Sequence, residues 1–116
     1  MIPRSWLTMF VLGLMVGLPY ASGYAASGDP AKGKDLYGKH CLVCHGPQGK
    51  GDGPTGKAIV PSAADFTSAR SKKKPPAELL KVIQEGRANT AMGAWTRQLS
   101  EEEIQHVLAY VLILRK

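Results

Sequence analysis

The sequence predicts an all-α domain, and three observations carry that reading. Apolar residues recur at helical spacing near the end of the chain. Capping residues and prolines mark helix starts. No stretch alternates apolar and polar residues as a half-buried strand would, and no internal repeat is visible.

The last helix is the clearest. Ser100 and Glu103 form an S-x-x-E capping box. Ile104, Val107, Leu108, Val111, Leu112 and Leu114 make an apolar face, and Arg115 and Lys116 suit the helix's negative end. The first helix opens at Asp29-Pro30, a cap followed by proline at the first helical position, and should run to about Cys41. A middle helix starts near Pro76, continues through Leu79, Leu80, Val82 and Ile83 to Glu85, and can end at Gly86. Gly33 lies four residues before Tyr37 on one face. A mid-helix glycine costs helix stability, so a close helix–helix approach explains it. Ala109 and Tyr110 are the expected counterparts across a crossing of the first and last helices. His106 falls beside the apolar stripe and reads, like His40, as a surface histidine.

Residues 1–25 read as a secretory signal. Arg4 precedes an apolar run of 13 residues, Trp6 to Leu18, then Pro19 and small residues. Crossing a bilayer takes roughly 20 residues, so stable membrane insertion is not expected once the leader is removed. Cleavage fits after Ala25 or Gly23. Residues 26–116 are then one exported domain, soluble in the periplasm. A core that small is marginal alone.

The whole chain carries a formal charge of +6. Without Arg4, 14 basic and 9 acidic residues remain. No nucleic-acid motif accompanies this balance, so an acidic protein partner is the better reading. Arg70-Ser71-Lys72-Lys73-Lys74 reads either as a solvated loop or as a docking rim. Gly51 to Lys57 nearly matches a phosphate-binding loop, but position 58 is Ala, which removes the magnesium-binding hydroxyl, and no strand precedes it. That reading is rejected. The five glycines between Gly46 and Gly56 instead suit a tight wrap.

The chemistry is concentrated in Cys41-Leu42-Val43-Cys44-His45. C-x-x-C-H reads as covalent attachment of a c-type haem. Each thiol adds to one vinyl group, and the adjacent histidine can ligate iron. Three readings compete. Zinc wants four ligands, and only His40 and His106 remain to help. A thioredoxin-like pair needs a βαβ context, which is not visible. A plain disulfide suits an exported protein. Given a haem, its iron histidine usually hydrogen-bonds a carbonyl through the second ring nitrogen. The carbonyl of Pro61 is the candidate and that of Pro54 the rival. Ile59, Val60 and Phe66 should line the pocket, and Trp95 should pack on the haem or the core. Met1, Met9 and Met15 lie in the leader, so Met92 is the only methionine left to serve as a second axial ligand.

In this order of elements the chain resembles a class I cytochrome c, over about residues 29–114. The elements are Gly33 and Tyr37, then Cys41, Cys44 and His45, then Pro61, Met92 and Leu108-Ala109-Tyr110-Val111. The resemblance implies three to five helices around one covalently bound haem c, with the terminal helices crossing. It implies His45 and Met92 on the iron, and electron transfer with redox partner proteins. It implies no enzyme activity of the chain itself, and a monomer or weak oligomer. The alternatives are a haem subunit of a larger oxidoreductase and a ligand sensor with a displaceable Met92. The family often has proline directly after the ligand methionine. Gly93 stands there in this chain, which implies a looser methionine loop.

Overall fold

The computed structural model describes Gly17 and residues 27–116, so the leader reading lies, but for Gly17, outside the described residues. Five α-helices follow in order: α1 (Pro30–His40), α2 (Leu42–His45), α3 (Ala69–Lys72), α4 (Pro76–Glu85) and α5 (Glu101–Leu114). One 3-10 turn, Trp95–Arg97, leads into α5. Among the described residues there is no strand, so the all-α expectation holds.

The caps form where the side chains dictate. The Asp29 carboxylate accepts from the Ala31 amide at 2.8 Å, with Pro30 opening α1. Ser100 and Glu103 close the capping box reciprocally, at 3.0 and 3.1 Å. The core comprises Tyr37, Ile83, Leu99, Ile104, Val107, Leu108 and Val111. Burying each aliphatic member stabilises by about 1.5–3 kcal/mol. Because α5 supplies Ile104, Val107, Leu108 and Val111, it is the element on which α1, α4 and the 3-10 turn pack.

The crossing of α1 and α5 is set by what Gly33 lacks. A Cβ at position 33 would meet the His106 carbonyl and approach Tyr110 Cβ at 3.0 Å. One turn on, Tyr37 meets the Tyr110 ring edge-on, with centroids 5.2 Å apart and planes at 69°. The expected Gly33–Tyr37 face therefore meets Tyr110 as read from the sequence.

His106 is not a surface residue; it is only 9% exposed. Its Nδ1 accepts the Asp29 amide at 2.8 Å, and its Nε2 lies 3.7 Å from the Glu102 carboxylate. The apolar periodicity missed it because its partner is a backbone amide at the start of α1. His40 is half-buried, with its ring 5.3 Å from that of Trp95.

The basic run is also more ordered than a loop. Ser68 caps α3 by accepting from the Ser71 amide at 3.1 Å, and Ser71 is buried. Arg115 reaches across from the end of α5. Its Nη2 donates to the carbonyls of Lys72 (2.7 Å) and Lys74 (2.6 Å). It thus satisfies orphan carbonyls at the end of α3.

Gly33→Ala tests the crossing. The added methyl gains up to about 1 kcal/mol of helix propensity but overpacks against a backbone carbonyl, at about 1–3 kcal/mol. We expect a net loss and a thermal midpoint lower by several degrees, read by circular dichroism. An unchanged or raised midpoint would mean the helices separate without cost.

Candidate functional site

α2 is a single turn, too short to satisfy its own carbonyls. Four amides in the glycine-rich loop satisfy them. Leu42 O accepts from Gly46 N (2.9 Å), Val43 O from Thr55 N (2.9 Å), Cys44 O from Gly53 N (3.1 Å) and His45 O from Gly51 N (2.8 Å). The loop must lie directly on the α2 backbone to do this. A Cβ at Gly56 would meet the Cys44 carbonyl, and one at Gly53 the carbonyls of Leu42 and Val43. The Tyr37 hydroxyl donates to Gly46 O at 2.6 Å and ties α1 to the same turn.

Beyond the loop, Ala63 N bonds Gly56 O (3.2 Å) and Phe66 N bonds Gly49 O (2.7 Å). This pulls residues 63–66 alongside the loop and brings the Ala64 carbonyl to His45. The contact is 3.1 Å from His45 Nδ1, so Nδ1 donates and the lone pair of Nε2 is left free. The carbonyl expected from Pro61 or Pro54 is therefore that of Ala64. Pro61 is instead on the cavity wall. Phe66 stacks on the His45 ring, with centroids 4.6 Å apart and planes at 20°. Burial holds the His45 imidazole below its ordinary range, opposed by the Ala64 hydrogen bond.

A cavity of about 600 Å³ is lined by Cys41, Cys44, His45, Ile59, Pro61, Phe66, Met92 and Trp95, among others. Val60 is the exception among the residues expected there: it is 94% exposed. Its neighbours Ile59 and Pro61 take the wall positions, so the side chain between them points to water. No disulfide joins Cys41 and Cys44. Burial, then the neighbouring Cys44, pushes the Cys41 thiol up to about 11. Among the described residues, no three His, Cys, Asp or Glu side chains converge as a zinc site would require.

The donor set suits a haem. Two thiols and an imidazole with a free nitrogen come from one turn, a thioether comes from a distant loop, and the wall between them is mostly apolar. Residues 28–111 match the family described as cytochrome c oxidase, cbb3-type, subunit III. The chain belongs to this family of c-type cytochromes. As such it is an electron-transfer protein with covalently bound haem c.

Two relatives and one solved structure place this cytochrome further. The FixP subunit of the cbb3-type cytochrome c oxidase of Bradyrhizobium diazoefficiens is 34% identical over 95 residues, which is 82% of this chain but 29% of FixP. This chain therefore spans under a third of that protein. Cytochrome c-554(547) of Halothiobacillus neapolitanus is 32% identical over 96 residues, 77% of this chain and 100% of the relative. The KustC0563 c-type cytochrome superposes with a TM-score of 0.62 at 27% identity, over 72% of this chain and 98% of that one.

Sequence reasoning missed the Ala64 carbonyl, because a carbonyl carries no residue-type signal. It also missed Arg70, Lys74 and Arg87 on the cavity wall. Their convergence on one cavity becomes visible only once α3 and the methionine loop are folded round it.

Tyr37→Phe removes the bond to Gly46 O. That carbonyl keeps a second partner, Gly49 N at 3.2 Å, so the loss should be near that of one hydrogen bond. We expect stability lower by about 1 kcal/mol in a denaturant titration. No loss would mean that this tether is not needed to hold the cytochrome's α2 turn.

Proposed function

We propose that this cytochrome is an exported, soluble periplasmic electron carrier and is not itself an enzyme. In this reading Cys41 and Cys44 hold the haem by thioethers, and His45 and Met92 are its axial ligands. The observation that carries it is one cavity lined both by the C-x-x-C-H turn and by the sole methionine downstream of the leader. When bound, haem c supplies a one-electron Fe(III)/Fe(II) couple.

The chain's own residues do the rest. The Ala64 carbonyl and the stacked Phe66 ring fix the orientation of His45. Ile59, Pro61, Phe66 and Trp95 exclude water from the ring, and a dry site with a thioether ligand favours a high potential. Arg70, Lys72 and Lys73 are exposed and offer positive charge to an acidic redox partner. Lys74 offers less. It is half-buried and lies 3.9 Å from the Glu78 carboxylate.

A second reading is favoured by the family match and by the FixP relative: the chain serves as the haem subunit of a larger oxidoreductase. Stoichiometric co-purification with a larger chain from the native membrane or periplasm would select it over the free carrier.

Two tests follow. Visible spectra of the purified holoprotein should give a sharp c-type reduced spectrum that carbon monoxide does not alter. A carbon monoxide shift would mean a displaceable sixth ligand and a sensor. The double variant Lys72→Glu/Lys73→Glu should slow electron exchange with an acidic partner at low salt, with the difference shrinking above about 0.15 M, where charges are screened. Equal rates at low salt would remove the run from docking.

A further inference from the structure

The loop that carries Met92 is closed on itself. Arg87 N donates to Met92 O at 2.9 Å, so the chain from 87 to 92 forms a ring. The Thr90 side chain bridges the two ends of the ring. Its hydroxyl donates to Arg87 O at 2.7 Å and accepts from Met92 N at 3.2 Å. Thr90 N also reaches Arg87 O, at 3.3 Å. Asn89 takes the left-handed turn that closing the ring demands, at φ 59°. Gly86, at φ +72°, lets the ring lie back on the end of α4. A Cβ there would come within 2.6 Å of Met92 O and 2.7 Å of the Gly93 carbonyl carbon.

Both backbone polar groups of Met92 are therefore fixed from the N-terminal side. On the other side, a Cβ at Gly93 would meet nothing within 4 Å. The restraint that a proline at 93 would supply is absent, and the ring stands in its place.

We propose that the Thr90 hydroxyl is the positioning group that presents the Met92 thioether to the haem iron. This rests on the reading of Met92 as the sixth ligand. The hydroxyl couples Met92 N to Arg87 O, and that leaves only the Met92 side-chain torsions to be ordered when sulfur binds. Without it, the sulfur must be held at the cost of ordering the backbone as well. A small external ligand then competes more effectively for the same position.

The test uses the full holoprotein with imidazole as competitor on the ferric form and carbon monoxide on the ferrous form. Thr90→Val keeps the branched shape and removes the hydroxyl; Thr90→Ser keeps the hydroxyl. Thr90→Val should bind imidazole about tenfold more tightly than the parent, the fold-change of one lost hydrogen bond. Thr90→Ser should stay close to the parent. The global unfolding midpoint, measured alongside, shows that competition at iron has changed rather than folding alone.

If Thr90→Val matches the parent, or Thr90→Ser is as labile as Thr90→Val, the hydroxyl has no such role and the proposal fails. Met92→Ala separates this from failure of the ligation reading. Ready uptake of imidazole and carbon monoxide by Met92→Ala keeps Met92 as the ligand whatever Thr90 does. An unaltered spectrum in Met92→Ala would overturn both.

Discussion

The close contact between Gly33 and the His106 carbonyl sets the frame for everything else. It brings the backbones of α1 and α5 together and fixes where Tyr37 lies. Tyr37 then reaches Gly46 O and fixes where the C-x-x-C-H turn ends. A second contact pins the same crossing at its outer end, where Asp29 N–H bonds His106 Nδ1. This bond uses the Nδ1 lone pair, so the His106 ring is neutral there, with its proton on Nε2 facing Glu102. A histidine beside a leucine stripe thus serves as a backbone acceptor, not as a solvated charge.

The site is then assembled by backbone, not by side-chain attraction. α2 is one turn; it and its cap Cys41 carry the two thiols and the imidazole, and its carbonyls are satisfied by Gly46, Gly51, Gly53 and Thr55 amides. Glycine at 53 and 56 allows that approach, since any Cβ would strike the turn it supports. The basic segment is fixed in the same manner. Arg115 ends α5 and holds the carbonyls of Lys72, the last residue of α3, and of Lys74 just beyond it. The charged rim is thereby tied to the helix that forms most of the core.

Helix existence was legible because caps and apolar spacing are local. The Asp29 cap, the Ser100 box, Pro76 and Gly86 each declare a boundary in a few residues. The C-x-x-C-H turn was legible because one spacing serves one chemistry. What was not legible depends on tertiary placement of generic groups. The Ala64 carbonyl replaced that of Pro61 because the loop's hydrogen bonds to Ala63 and Phe66 choose which carbonyl faces His45. Val60 turned outward because its two neighbours took the wall. The burial of His106 followed from an amide 77 positions away, which no local pattern encodes.

The four carbonyl–amide pairs on α2 also bear on how such chains diverge. Each pair links a fixed residue of the turn to a fixed residue of the loop, so inserting or deleting a residue between Gly46 and Thr55 shifts the register of at least one pair and strands a carbonyl. The next segment is bound by no such count. Between the Gly56–Ala63 hydrogen bond, Lys57, Ala58, Val60, Pro61 and Ser62 are all exposed. A change of chain length there would leave all four α2 pairs intact, and the turn that carries the cysteines would keep its spacing.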